Sequence, residues 1–352
     1  MKKILKLLAL TLAIALLAAM AMGCGDSGSS ASSAPSGTTG GTSSSVASGD
    51  SSGGGENAEH KVACILSGPI SDMSWNATAY SGMLEIEKMG AKIAYQENVE
   101  NSSLADSIST YANEGFDVIF LSTNSYEDIG VQEAKNYPNV TFMIINGATT
   151  EGNVVSIQVA DEHQGFMMGA IAALVAGEGQ VGFVGGMEIT PIINGGKGFE
   201  AGVKDVNEAI QVNSAMTGSM TDVNAAKETA KAMIDNGVTV VAPMADNASL
   251  GVLEAAQEGG VYAVASGLNQ EEVAPDAVLI SVVKDTAIAY KAAYQAYLDG
   301  TLATETNKMG AAEGVVFLSD WYGAADGLDQ AIKDEVQKVY DDLAAGKISV
   351  DI

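Results

Sequence analysis

Short apolar runs alternate with longer amphipathic stretches from residue 61 to the end of the chain. The apolar runs, which predict buried strands, are 62–66, 93–96, 118–121, 140–145, 154–159, 181–184, 212–216, 238–242, 262–265, 279–283 and 315–318. Helical periodicity covers 77–89, 104–114, 127–136, 165–175, 196–206, 223–236, 250–258, 286–298 and 324–343. This alternation predicts an α/β fold in which helices cover both faces of parallel sheets.

The body that begins near residue 61 is long for one such sheet, which favours two lobes. The stretches VACILSGPI and VGFVGGMEI each contain a buried strand, a glycine turn and the start of a helix. Ligands of open α/β sheets bind beyond the carboxyl ends of the strands, so we expect these turns to face one cleft. The expected lobes are 60–160 plus 266–313 and 161–265 plus 314–352, joined by a hinge that the chain crosses three times.

The N-terminus has the features of an export signal. Lys2, Lys3 and Lys6 precede an uncharged stretch, which ends at Ala21-Met22-Gly23-Cys24. Small residues before a cysteine resemble the lipobox of bacterial lipoproteins, so we expect a signal peptide over 1–23 and a lipid on Cys24. The alternative is a signal anchor, although the uncharged run is shorter than the roughly 20 residues that a membrane span needs.

Residues 24–59 are mostly Ser, Gly, Thr and Ala. Such a composition buries too little apolar surface to fold, so it predicts a flexible tether. A random coil of about 35 residues would span roughly 30–35 Å. We therefore expect a lipid-anchored protein on the extracytoplasmic face of the cell membrane.

Composition excludes several classes of function. The formal net charge is −27 and the chain contains no arginine, so it lacks the basic surface of a nucleic-acid-binding protein. Two histidines and two cysteines are too few for a Cys/His metal cluster, and Cys64 is expected to be a buried thiol. No activated nucleophile or acid–base pair is evident, so we expect neither an enzyme nor a cofactor.

Several motifs in consecutive order carry a family resemblance. They are DMSWN (72–76), HQGFMMGAIAAL (163–174), VGFVGGMEITPII (181–193), FEAGVKDVN (199–207), LGVLEAAQEGGVYAV (250–264) and ISVVKDTAIAY (280–290). Together they resemble the basic membrane protein family of lipoproteins, which are substrate-binding proteins of ABC importers, many of them specific for purine nucleosides. The resemblance implies a monomer with a periplasmic-binding-protein-like fold of type I that delivers a purine nucleoside or base to an ABC permease.

The resemblance also implies a set of binding residues in the first lobe. Trp75 or Tyr80 would stack on the base, while Asp72 and Asn76 would hydrogen-bond to its polar edge. Asn124 follows a predicted strand and is a further candidate. Structural alternatives stay open, because Asp72 is a preferred helix cap, Asn76 and Asn124 suit turns, and either aromatic side chain would also suit a core.

The second half departs from the family pattern. Gly195 stands where the family has an aromatic residue, and Gly267 stands where family nucleoside binders carry an aspartate that holds ribose hydroxyls. Lys284, another polar ligand in the family, is retained, and the loop after strand 238–242 adds Asp246 and Asn247. We therefore expect a purine base, or a ligand other than the usual nucleoside, with Asp246 as an alternative source of the missing carboxylate.

A second function stays open at this point. A receptor of the same fold would bind a different small polar molecule and pass its liganded form to a membrane sensor instead of a permease. The two roles differ in the membrane partner, which the sequence does not identify.

Overall fold

A computed structural model describes residues 60–268 and 270–352. The expected signal peptide, Cys24 and the tether fall outside the described residues. Within the described ranges, no helix combines the length and apolar character that crossing a bilayer requires.

The first lobe is built on a sheet of six parallel strands. They are β1 (Lys61–Ile65), β2 (Lys92–Gln96), β3 (Val118–Leu121), β4 (Thr141–Ile145), β5 (Val154–Val159) and β11 (Asn307–Met309). Their spatial order is β11-β5-β4-β3-β1-β2. Helices α1 (Trp75–Lys88) and α8 (Ala287–Leu298) cover one face, and α2 (Asn101–Asn113) and α3 (Glu127–Ala134) cover the other.

The second lobe repeats this arrangement. Its strands are β6 (Gln180–Gly185), β7 (Val212–Met216), β8 (Val238–Met244), β9 (Tyr262–Ala265), β10 (Val278–Lys284) and β12 (Val316–Leu318), in the order β12-β10-β9-β8-β6-β7. All neighbours are parallel except β10 and β12. Helices α4 (Asp161–Ala176), α5 (Thr190–Val206) and α9 (Gln330–Ala344) cover one face, and α6 (Val223–Asp235) and α7 (Ser249–Gly259) cover the other.

The central strands are continuous apolar runs in the sequence because they are buried along their whole length. Every residue of β3 is buried, and successive side chains enter opposite cores, with Val118 and Phe120 in one and Ile119 and Leu121 in the other. Strands covered on both faces require apolar residues at every position. The predicted two-lobed fold of parallel sheets is confirmed.

Strand pairing moves one expected lobe boundary. The expected first lobe includes 266–313, but β10 pairs with β9, with Val278 opposite Ala263 and Ser281 opposite Ala265. The chain therefore leaves the second sheet after Lys284, not at residue 266. An apolar run such as 279–283 suits the middle of either sheet, so its hydrophobicity does not show which partner it joins.

The three connections between the lobes run side by side. They link β5 to α4, β10 to α8, and β11 to β12. Ala160 donates its N–H to the Met309 carbonyl at 2.8 Å, and Asp285 donates its N–H to the Val315 carbonyl at 2.8 Å. These hydrogen bonds hold the connections together as a hinge of the kind about which two lobes close.

Candidate ligand-binding site

A cavity of about 620 Å³ lies between the two lobes. Its volume is within the range of small-molecule sites, roughly 300–1,000 Å³. The first lobe lines it with residues 67–69, 72, 75, 76, 99–101, 123–126 and 146, and the second with 187, 189, 191, 192, 218–221, 246, 247 and 284. A molecule bound here would contact both lobes.

Asp72 organises the turn that enters α1. Its buried carboxylate accepts hydrogen bonds from the backbone N–H groups of Ser74 (2.9 Å), Asn76 (2.8 Å) and Ala77 (2.9 Å). Because two of these N–H groups belong to the first helical turn, the carboxylate caps the helix. Asp72 lines the cavity, yet most of its accepting capacity is used inside the first lobe.

Asn76 extends the same network. Its Nδ2 donates to Asp72 Oδ2 at 2.9 Å, and its Oδ1 accepts the N–H of Gly68 at 3.2 Å. The amide therefore ties the end of β1 to the start of α1. One Nδ2 hydrogen has no acceptor among residues 60–268 and 270–352, and it lies on a side chain that lines the cavity.

Trp75 forms part of the cavity wall. Its indole Nε1 donates to the Ser122 carbonyl at 2.7 Å, which fixes the ring at the carboxyl ends of the first-lobe strands. The Lys284 ammonium lies 4.7 Å from the ring centroid, a cation–π distance. Trp75 therefore contributes an aromatic surface to the cavity wall and also contacts Lys284.

The structure does not bring Tyr80 to the cavity. Tyr80 packs against Tyr95 on the edge strand β2, with ring centroids 4.9 Å apart, and it is absent from the lining residues. It lies on the next turn of α1, where the helix has turned its side chain away from the cleft. Of the two candidate stacking residues, only Trp75 lines the site.

Asn124 does line the cavity. It begins a short 3₁₀ turn after β3, and its Oδ1 accepts a hydrogen bond from Thr123 Oγ1 at 3.4 Å. Its side chain is half-buried at the carboxyl end of the first sheet. It can therefore contribute both a structural contact and a polar group to the site.

Lys284 joins a buried polar cluster that our sequence analysis missed. Its ammonium pairs with Asp161 Oδ1, and the two side chains are 10% and 4% exposed. Asn146 Nδ2 donates to Asp161 Oδ2 at 3.0 Å, while Asn146 Oδ1 accepts the Val159 N–H at 2.7 Å. Burial raises the pKa of Asp161, although Lys284 acts in the opposite direction.

A positional signal for this cluster exists in the sequence. Asn146 directly follows β4, and Asp161 follows β5 by two residues, so both stand at carboxyl ends of strands. Polar residues at such positions are candidates for ligand sites in open α/β sheets. A sequence pattern does not show the contact of Asp161 with Lys284, because 123 residues separate the two.

Asp246 enters the cavity from the second lobe. It follows β8 by two residues, has a left-handed φ of 44°, and lines both the main cavity and an adjoining recess of about 20 Å³. Burial, together with the charges of Asp72 and Asp161, raises the pKa of Asp246 to about 7, although Lys284 opposes them. Asp246 therefore supplies the cavity with a carboxyl group whose pKa lies near neutral pH.

Gly267 lies where the second lobe contacts the first. Leu268 donates its N–H to the Met73 carbonyl at 2.7 Å, and a Cβ on Gly267 would lie 2.3 Å from that oxygen. Any side chain at 267 would therefore collide with the turn that carries Asp72 and Trp75. Gly267 is not among the residues that line the cavity.

Gly195 serves helix packing rather than the cleft. It lies inside α5, where a Cβ would be 2.4 Å from the Met244 sulfur, and a Cβ on Gly165 of α4 would be 1.9 Å from the Gly195 carbonyl. The glycines let the backbones of α4 and α5 meet. The second-lobe wall is instead apolar and aliphatic, formed by Met187, Ile189, Pro191, Ile192 and Met220.

Cys64 is the buried thiol that its apolar strand predicted. Burial raises its pKa to about 12, so the reactive thiolate is not formed at neutral pH. Its closest polar contact is the Tyr290 hydroxyl, at 3.8 Å from the sulfur.

Two sheet-based lobes, a hinge of three connecting segments and a cavity between the carboxyl ends of the strands are the architecture of the periplasmic-binding-protein-like fold. The chain belongs to the Bmp family, described as "ABC transporter substrate-binding protein PnrA-like", whose profile matches residues 59–350. This match confirms the resemblance that the sequence motifs carry.

Several known proteins are similar to this chain. A "Purine-binding protein" of Brucella abortus is 28% identical over 288 residues, which cover 80% of this chain and 82% of the relative. "Transcriptional activator protein med" of Bacillus subtilis is 27% identical and covers 69% of this chain and 76% of the relative. The crystal structure of an ABC transporter solute-binding protein from Aeropyrum pernix superposes with a TM-score of 0.72 at 22% identity, covering 82% and 92% of the two chains.

Proposed function

We propose that the protein is the membrane-tethered, extracytoplasmic substrate-binding lipoprotein of an ABC importer, and that it binds a purine in the interlobe cavity and delivers it to the permease. The observation that carries the proposal is the pair of facing walls in that cavity. Trp75 forms one wall, and the aliphatic side chains around Ile192 form the other. The family membership and the name of the Brucella relative support the same ligand class.

Purine chemistry fits these walls. A purine is flat and apolar on its faces, and it carries hydrogen-bond donors and acceptors on its edges. Stacking on an aromatic side chain contributes about 1–3 kcal/mol per base. Amide groups of Asn76, Asn124 and Asn247 and the carboxylate of Asp246 surround the cavity and would serve the edges.

The charge of the cavity disfavours phosphorylated ligands. Asp72, Glu100 and Asp246 line it, and the single lysine among its lining residues, Lys284, already pairs with Asp161. A phosphate would face this negative field without a free cation to neutralise it. The ligand is therefore a neutral base or nucleoside and not a nucleotide.

Of the free base and the nucleoside, the free base fits the site better. In the nucleoside binders of the family that the motifs resemble, an aspartate stands at the position of Gly267 and hydrogen-bonds to the ribose hydroxyls. Here the contact between Gly267 and Met73 leaves no room for a side chain. Loss of a hydrogen bond to a charged group costs roughly 1.5–3 kcal/mol, or about ten- to a hundredfold in affinity.

Delivery follows from lobe closure. A ligand that contacts both lobes favours the closed arrangement by its differential affinity for that state. The permease would then recognise the closed form. The lipid on Cys24 and the tether over 24–59 would keep the protein within reach of the membrane.

Thermal unfolding of the purified protein tests the ligand. The panel is adenine, guanine, hypoxanthine, adenosine, guanosine and inosine, with guanosine monophosphate as the phosphorylated comparison. A ligand at a hundred times its Kd stabilises the fold by about 2.7 kcal/mol. Shifts with bases alone support the proposal as stated, shifts with nucleosides contradict the base preference, and a panel without shifts contradicts the purine site.

A regulatory role is the second candidate, because the Bacillus relative is named a transcriptional activator. The genes beside this one distinguish the two roles. An ATPase and two permease genes favour transport, whereas a lone gene beside a membrane sensor favours signalling.

A further inference from the structure

Asp246 differs from the buried carboxylates of Asp72 and Asp161 in its hydrogen bonding. Asp72 accepts from the α1 turn, and Asp161 is engaged by Lys284 and Asn146. The Asp246 carboxylate has no hydrogen-bond partner among residues 60–268 and 270–352, although it faces the cavity and the adjoining recess. Glu100, which also lines the cavity without such a partner, is exposed to solvent, whereas Asp246 is half-buried, so Asp246 is the enclosed carboxylate whose accepting capacity remains available to a ligand.

The backbone holds Asp246 firmly in place. Ala245 donates its N–H to Ser249 Oγ at 3.0 Å, and Ala248 donates its N–H to the Met220 carbonyl at 3.1 Å. The left-handed φ of 44° is costly for a residue with a side chain. The loop therefore fixes the backbone position from which the Asp246 side chain enters the cavity.

Trp75 and Ile192 line both the main cavity and the recess, as Asp246 does. A flat ring that contacts Trp75 and Ile192 would therefore lie next to Asp246, within reach of an edge of the ring. An ionised carboxylate has two oxygens and only accepts, so it pairs best with two parallel N–H donors. Among purines, guanine offers such an edge, with a ring N–H beside an exocyclic amine.

We propose that Asp246 is a specificity-determining residue that selects a guanine-like edge with two adjacent N–H donors over purines that present one donor. The inference rests on the proposed purine site and adds the chemical class of the edge that the second lobe reads. Hypoxanthine has the ring N–H without the amine. In adenine, a ring nitrogen that accepts hydrogen bonds lies beside the exocyclic amine. Its lone pair would be repelled by a carboxylate oxygen.

Protonation adds a second, independent consequence. The charged groups that face Asp246 are Asp72, Asp161 and Lys284, and burial with the two acids raises its pKa to about 7. Above that pH the carboxylate accepts two donors. Below it the protonated acid carries one donor and one acceptor, which matches the acceptor and amine of adenine. The preference for guanine over adenine therefore grows as the pH rises through 7.

The test is a fluorescence titration of the purified protein with guanine, hypoxanthine and adenine at pH 5.5 and pH 8.5. Wild type, Asp246→Asn and Asp246→Gly are compared, since glycine accommodates the left-handed backbone without the carboxylate. Asp205→Asn is the matched control, because Asp205 is exposed on α5 and its change removes the same charge. Thermal unfolding of each variant verifies that it folds.

At pH 8.5 we expect wild type and Asp205→Asn to bind guanine about tenfold more tightly than hypoxanthine. Both Asp246 variants should bind the two bases within about twofold of each other. In wild type, the ratio of guanine to adenine affinity should rise between pH 5.5 and 8.5, and in Asp246→Asn it should stay constant. Guanine selectivity that persists in both Asp246 variants would overturn the inference and leave the purine site intact, whereas failure of wild type to bind any purine would overturn both.

Discussion

The Lys284 ammonium lies 4.7 Å from the centroid of the Trp75 ring and also pairs with Asp161. Trp75 begins α1 in the first lobe, while Lys284 ends β10 of the second sheet. One lysine therefore joins the wall of the ligand cavity to a buried carboxylate at the hinge. Removal of this lysine should affect both the stability of the fold and the shape of the cavity.

We expect Lys284→Met to lower the free energy of unfolding by about 3 kcal/mol, because Asp161 stays buried without its cation. Asp161→Asn added to Lys284→Met should recover part of the loss. Urea denaturation measures both effects. Lys333→Met is the control, since Lys333 lies 5.6 Å from the Trp321 ring and has no salt bridge to a buried acid among the described residues; its cost should stay below about 1 kcal/mol.

Trp75→Ala should weaken purine binding by about ten- to a hundredfold, because it removes the aromatic wall of the cavity. Tyr80→Ala is matched to it: the residue is on the same helix and is aromatic, but it packs on Tyr95 outside the cavity. Isothermal titration calorimetry of both variants decides the assignment. Equal losses of affinity would contradict the distinction between these two side chains.

Gly267→Asp should not restore ribose binding, because the new Cβ would meet the Met73 carbonyl at 2.3 Å. The collision should separate the two lobes at this point and lower the free energy of unfolding by about 1–3 kcal/mol. Gly327→Ala is the control, since a Cβ there would meet no atom within 4 Å. A Gly267→Asp protein of normal stability that gains nucleoside affinity would refute this account of the loop.

The Asp246 carboxyl should give the ligand-free protein a distinct pH dependence. Its pKa is about 7 in the folded state and near 3.9 in the unfolded chain, so its contribution to stability is fully present below pH 4. The contribution is lost as the pH rises to 7, because folding then places a charge in a poorly solvated site.

Asp246→Asn has no charge to bury, so it should be more stable than wild type at pH 8 and no more stable at pH 4. We expect a gain of about 1–2 kcal/mol, reduced from the full effect because the side chain is partly solvated. Unfolding midpoints at pH 4, 6 and 8 measure it, with Asp205→Asn alongside. A stability difference that is the same at all three pH values would contradict the prediction.

Local pattern predicted most of the secondary structure. Strands β3, β5, β7 and β9 have the predicted bounds. Buried parallel strands such as β3 are continuous apolar runs, whereas β7 is an edge strand in which no residue is buried. β11 was missed because the sequence Asn-Lys-Met is short and polar at a sheet edge. Helix α5 begins at Thr190, six residues before the predicted start, because Pro191 suits the first turn of a helix and the glycines that follow are accommodated by packing on α4.

The candidate site was predictable in part. Asp72, Trp75 and Asn76 are neighbours in sequence, so their clustering in one turn follows from the turn itself. The cluster of Asn146, Asp161 and Lys284 requires three strand ends from two sheets to meet, and no periodicity encodes that meeting. The role of Gly195 was likewise hidden, because a close approach of α4 and α5 appears only when both helices are packed.

The sequence by itself determined the alternating β-α order, the two-lobed class, the family and the turn chemistry at the start of α1. It did so because burial periodicity and helix capping depend on neighbours along the chain. Tertiary structure decided which of the more distant polar groups are already used and which remain available to a ligand. The carboxylate of Asp161 is engaged by Lys284, 123 residues away in the chain, whereas that of Asp246 has no partner among the described residues, because such contacts depend on how distant segments approach each other in space.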